Sequence, residues 1–168
     1  MLTRWDGALK SEGVGRRRRV ALLGAALGRA AMAANAAPQG DCFSNADLEA
    51  EQAVRFQAQL MVLSDICRDT TYGLFTQRNR DAIMAYQRQM IDHFKRAGER
   101  RADITFENYM TRLANQESIA SGQRTSAEIC QPNNTLIVTA NSIGTSKEFR
   151  AYAASQAAAN RATYLACK

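Results

Sequence analysis

Gln57-Ala58-Gln59-Leu60-Met61-Val62-Leu63-Ser64-Asp65-Ile66-Cys67 is the most apolar run beyond residue 40, and its reading decides the fold. Leu60, Leu63 and Cys67 recur at intervals of three and four, and Leu48 and Phe56 extend the series upstream. Such spacing is the mark of one apolar stripe on a helix, here running to about Cys67. Ala53, Met61 and Ile66 widen the stripe, so this helix is expected at the centre of the domain, with the later elements packed on it or tied to it. Ser44 or Asn45 is placed to cap its start. Asp47 and Glu49 fall in the first turn, where negative charge suits the helix dipole.

Downstream, Phe75, Asn79, Ala82, Ile83, Tyr86, Met90 and Phe94 keep a helical period, which predicts a second helix over about Tyr72 to Ala97. Gly98 is suited to the position just past its end. Asp103 is expected to cap a third helix, with Ile104, Phe106, Tyr109, Met110, Leu113 and Ala114 inside, ending at Ser121-Gly122. Residues 122–145 read as one long connection. Within it Pro132-Asn133-Asn134 forms a turn, and the β-branched run Thr135-Leu136-Ile137-Val138-Thr139 is expected to be a short extended segment. A fourth helix, capped by Thr145 or Ser146, carries Phe149, Tyr152, Gln156, Ala159, Thr163 and Tyr164 inward and reaches nearly to Cys167. The expectation is an all-α, up-down four-helix bundle with a long connection before the last helix. It is organised as a leader over 1–36, a flexible segment over 37–44 and one helical domain over 45–168.

The leader accounts for the basic charge. Residues 1–36 hold seven Lys and Arg against two acids, and the remainder holds fifteen against fourteen. A nearly neutral body has no general attraction for phosphate backbones, so nucleic acid is not an expected partner. Arg16 to Arg19 precede the apolar run Val20 to Gly28, and Ala31-Met32-Ala33 and Ala34-Asn35-Ala36 follow. A basic, then apolar, then small-residue order is that of a cleavable secretory signal, cut after Ala33 or Ala36, with Ala36 favoured. Both general secretion and twin-arginine export fit, and a basic tail is the alternative. Arg19 and Arg29 bracket nine residues, against the roughly 20 a membrane helix requires. The chain is therefore expected in the periplasm or outside the cell, not integral to a membrane.

Cys42, Cys67, Cys130 and Cys167 form no Cys-x-x-Cys, and four scattered cysteines in an exported chain read as two disulfides. In an up-down bundle Cys67 and Cys130 share one end, and Cys42 and Cys167 the other. Pairing Cys42 with Cys130 would have to span a helix of about 25 residues, roughly 37 Å. Pairing Cys42 with Cys67 fails for the same reason. The expected bridges are Cys67–Cys130 and Cys42–Cys167.

No catalytic residues, metal ligands or cofactor are assigned. His93 is the single histidine, and no serine stands beside it with a carboxylate behind. Glu49 and Glu51 lie two residues apart, on different faces of a helix. A haem held by His93 with Met61, Met84, Met90 or Met110 is the alternative, set against methionine as a core filler. Asn79, Asn115, Gln156 and Asn160 read as inward amides that fix helix register, in preference to a polar pocket. Lys95-Arg96-Ala97-Gly98-Glu99-Arg100-Arg101 reads as a solvated basic turn.

Residues 60–67, Tyr72, Phe75, Asn108 to Asn115 and Cys130 together resemble a group of small, uncharacterised exported helical proteins of Gram-negative bacteria, over about residues 57–130. The resemblance implies export, helices and a Cys67–Cys130 bridge, and it implies no activity. The functional expectation is a non-enzymatic interaction or envelope-accessory role with an unknown protein partner in the cell envelope. A small-ligand or haem- or metal-carrying bundle is the alternative.

Overall fold

A computed structural model describes residues 42–131 and 134–167. Among them are seven α-helices: α1 (Asn45–Cys67), α2 (Thr71–Arg78), α3 (Arg80–Arg96), α4 (Ala102–Ser121), α5 (Ser126–Ile129), α6 (Thr135–Ser142) and α7 (Ser146–Asn160), followed by a 3-10 turn at Arg161–Thr163. The expected leader and the Pro132-Asn133 turn lie outside the described residues. None of the described helices is long and apolar enough to cross a membrane.

The opening run belongs to α1, and α1 touches each of the other six helices. Its start is fixed by a capping box: Ser44 Oγ accepts from the Asp47 amide, and the Asp47 carboxylate accepts from the Ser44 amide. Its end is a Schellman turn, in which the Asp69 amide donates to the Ser64 carbonyl and the Arg68 amide to the Asp65 carbonyl. Arg68 adopts φ 51° there, the left-handed region that disfavours a β-carbon. Replacing Arg68 with glycine relieves that strain but frees the unfolded chain, a net gain of about 0.5–1 kcal/mol. The urea midpoint of Arg68→Gly should rise, and a fall would mean that the Arg68 side chain holds the turn. Gly98, at φ 89°, closes α3 in the same way.

Phe56 of α1, Phe75 of α2 and Phe149 of α7 form the aromatic centre. Phe75 meets Phe56 and Phe149 at ring distances of 5.4 and 4.9 Å. Tyr86 and Tyr152 extend it, and such tilted and edge-on pairs are the favoured arrangement for rings. Side-chain pairs order the neighbours along α1. On α3, Tyr86 meets Glu49 and Arg96 meets Asp47. On α4, Tyr109 meets Glu51 and Glu117 meets Gln59. On α7, Tyr152 packs on Phe56 and Asn160 donates to Gln52.

Several local expectations are corrected. The second helix divides at Asn79, whose side-chain amide donates to the Phe75 carbonyl at 2.9 Å and competes with the backbone. Thr135 to Thr139 are helical, not extended. Asn134 caps α6 by accepting from the Leu136 amide, and packing of Ala140 outweighs β-branched propensity. Asp103 is not a cap: α4 begins at Ala102 after Arg101, with no side-chain cap, and Asp103 lies in the first turn. The last helix stops at Asn160, so Thr163 lies beyond it and is exposed, and Ala159, within α7, faces solvent rather than the core. The chain beyond runs alongside Phe43, whose amide donates to the Leu165 carbonyl while the Cys167 amide donates to the Phe43 carbonyl. Cys42 to Ser44 are joined to the C-terminal segment by these bonds and to α1 by the cap.

Candidate functional site

Two disulfides stand at opposite ends of α1. Cys67, its last residue, is bonded to Cys130 at the end of α5, with Cα atoms 5.4 Å apart. Cys42, three residues before its start, is bonded to Cys167, with Cα atoms 4.8 Å apart. The first bridge clamps the long connection, and the second joins the two terminal segments.

Beside the Cys42–Cys167 bridge lies a knot of buried charge. Asp47, Glu51 and Arg55 follow one another at intervals of four, so they share one face of α1. Glu51 is fully buried. One of its oxygens accepts from the Arg55 guanidinium and from the Tyr109 hydroxyl at 2.6 Å. The other accepts from Gln52 and from the Tyr164 hydroxyl at 2.7 Å. The carboxylate is therefore used to tie α4 and the C-terminal segment to α1. Burial raises the Tyr109 and Tyr164 hydroxyls above the usual tyrosine value, and the Glu51 charge raises them further. Burial lowers the Arg55 guanidinium, but the Glu51 bond and charge outweigh it and hold the cation.

Asp47 is 1% exposed. It accepts from Ser44 and from Gln89 and Arg96 of α3, and His93 Nδ1 stands 3.6 Å from its Oδ2. The His93 ring stacks on Phe43 at 4.3 Å, and Phe43 leans on Tyr164. Burial pushes the Asp47 carboxyl up, but the bonds from Ser44, Gln89 and Arg96 prevail and hold it at about 2, below its ordinary 3.8. Its contribution to stability is thus complete above about pH 4 and lost as pH falls toward 2, and amounts to at most about 2 kcal/mol, since half-exposed Arg96 is screened by water. The stability gap between the native chain and Asp47→Asn should close on acidification through that window. A gap that does not change with pH would contradict the ion-pair origin of the shift.

The other sequence candidates disperse. Met90 is buried in the core, Met110 is half-buried, and Met61 and Met84 are exposed. Asn115 is exposed, contrary to its expected inward position, because α4 turns that face to solvent. Asn160 does join α7 to α1 through Gln52, and Asn79 is fully buried. Among the described residues, no group of three or more His, Cys, Asp or Glu is placed to hold a metal ion. What the sequence reading missed is the Asp47–Glu51–Arg55 series. The interval of four is the signal the sequence carries for it, whereas Glu49 and Glu51, at an interval of two, lie on different faces.

At the other end, the clamped connection borders a groove of about 520 Å³. Its apolar lining is Leu63 of α1, Ile129 of α5, Leu136 of α6 and Tyr152 of α7. Glu117, Arg124, Glu128 and Thr139 supply polar groups along it. Burial raises the Tyr152 hydroxyl. Glu128 is held below its usual value by bonds from Thr125, the N-cap of α5.

The fold and these two ends define an all-helical domain braced by disulfides. Comparison with protein-family models, curated proteins and solved structures finds no match to the chain.

Proposed function

We propose that the chain is an exported protein of the cell envelope, released from its leader after Ala33 or Ala36, that acts through contact with a protein partner and not by catalysis. The observation that carries the reading is the pair of disulfides, which span 125 and 63 residues of sequence. Bridges of this kind persist in oxidising compartments such as the periplasm or the extracellular space. The resemblance of residues 57–130 to small exported Gram-negative proteins supports the same destination. The buried charges support a structural use of the polar residues, since Glu51 and Asp47 are taken up by bonds between elements.

In this reading α1, α3, α4 and α7 are the four long helices of an up-down bundle, and α2, α5 and α6 are short pieces in its connections. The support is the order of contacts along α1: partners on α4 advance with it, and those on α3 and α7 run against it. A second reading, a carrier of a small ligand, is favoured by the groove beside α5 and α6. Its haem version lacks comparable support, since His93 packs between Asp47 and Phe43.

The test is to express the full chain in a Gram-negative host, fractionate the cells and cross-link the exported form in place. The expected result is a shortened chain in the envelope or medium, joined to one envelope protein in a defined ratio. A full-length chain retained in the cytoplasm would overturn the export reading, and an exported chain with no cross-linked protein would overturn the contact role.

A further inference from the structure

The two bridges differ in their surroundings. Cys67 and Cys130 are half-buried and stand at the ends of α1 and α5. Cys167 is exposed and follows the 3-10 turn, outside the described helices. Nearby Leu165 is 60% exposed. Cys167 therefore offers an attacking thiol more access than Cys67 or Cys130 does, and access is one determinant of the rate of thiol–disulfide exchange. The second observation is what the Cys42–Cys167 bridge fastens. It joins two segments that exchange a pair of amide bonds between Phe43 and the Leu165–Cys167 run. Phe43 lies against the His93 ring at 4.3 Å, and the Tyr164 hydroxyl donates to Glu51 at 2.7 Å. His93, Asp47 and Glu51 are 5%, 1% and 0% exposed. The bridge thus secures two aromatic side chains against a histidine and two carboxylates that are closed off from water.

We propose that Cys42–Cys167 is a redox latch: a dithiol reductant opens it ahead of Cys67–Cys130, and release of Phe43 and Tyr164 uncovers His93, Asp47 and Glu51 while the bundle stays folded. One thiolate of the reductant attacks Cys167 Sγ, the bond to Cys42 breaks, and its electron pair leaves on the Cys42 sulfur. The second thiolate of the reductant then displaces Cys167. The dithiol is oxidised to a disulfide, both cysteines are reduced to thiols, and the two protons given up by the reductant end on them. Opening leaves the uncovered carboxylates with partners. Arg55 and Tyr109 remain on Glu51, and Gln89 and Arg96 on Asp47. The aromatic centre is built from α1, α2 and α7, whereas Phe43 and Tyr164 lie beyond the ends of α1 and α7. This end of the protein is closed under oxidising conditions and presents a polar surface under reducing ones. The inference goes beyond the partner-contact role, and because it concerns the folded chain alone its failure leaves the export reading standing.

The probe is dithiothreitol, applied in a graded series to the oxidised full chain, with iodoacetamide alkylation and peptide mapping at each step. Cys42 and Cys167 should be alkylated at reductant levels about tenfold or more below those that label Cys67 and Cys130. In that half-reduced species diethyl pyrocarbonate should modify His93, the single histidine, about tenfold faster or more than in the oxidised chain, as local opening requires. Re-oxidation should restore its protection. Slow amide exchange in α7 and around Phe75 should persist, which shows that the half-reduced chain is folded. The variant with Cys42 and Cys167 both changed to serine should react at His93 with no reductant present. Simultaneous labelling of all four cysteines, earlier labelling of Cys67 and Cys130, a His93 that stays protected in the half-reduced chain, or exchange that becomes fast throughout would each overturn the latch.

Discussion

Replacing Glu51 with alanine is expected to destabilise the protein by about 3–5 kcal/mol, the usual result of removing one partner from a buried charge network. The carboxylate is fully buried, and its loss strands several groups at once. Arg55 loses its counter-charge, and the Tyr109 and Tyr164 hydroxyls lose their acceptor. Those hydroxyls belong to segments 58 and 113 residues away in sequence, so the substitution loosens α4 and the C-terminal segment together. Urea unfolding measures the change directly. Tyr109→Phe, which removes one bond and leaves the charge pair, should cost only about 1 kcal/mol. If Glu51→Ala costs no more than Tyr109→Phe, the knot is not what joins these elements.

The second large effect is expected from the disulfides. On the chain-entropy account, closing loops of 63 and 125 residues stabilises by about 4 and about 5 kcal/mol respectively. The 67–130 loop lies inside the 42–167 loop, so the two contributions are not additive. The variant with Cys67 and Cys130 both changed to serine should lose about 4 kcal/mol or less, with a local signature. Amide exchange should rise over α5 and α6, whose tie to the end of α1 is gone, while the aromatic centre around Phe75 and Phe149 stays protected. The corresponding Cys42 and Cys167 variant should instead expose Phe43, the Leu165–Cys167 segment and the amide bonds between them. Exchange that rises uniformly in both variants would show that the bridges do not act on separate ends.

The sequence carries the core of this fold but not its polar joints, and the reason is physical. The stripe of Leu48, Phe56, Leu60 and Leu63 is periodic over a few turns, so local spacing alone reveals α1. The cysteine positions relative to helix ends carry the bridge geometry, because a helix is a rigid spacer. The burial of Asp47 and Glu51 has no comparable local signal. A carboxylate near a helix start has an ordinary role with the dipole, and the partners that bury these two come from distant segments that no local pattern connects to them. The error at Thr135 to Thr139 is of the same kind: β-branched residues favour strands only when a neighbour strand exists, and here Asn134 caps a helix that packs on α2.

We propose an exported helical protein whose two bridges close the two ends of one central helix. It is tested most directly by a non-reducing peptide map of the chain, produced with its own leader and recovered from the periplasm of a Gram-negative host. The expected map contains one fragment joining Cys67 to Cys130, another joining Cys42 to Cys167, a new N-terminus after Ala33 or Ala36, and no thiol open to alkylation. A chain that keeps its leader and reacts at four thiols, or one that pairs Cys42 with Cys67 or Cys130, would contradict the account.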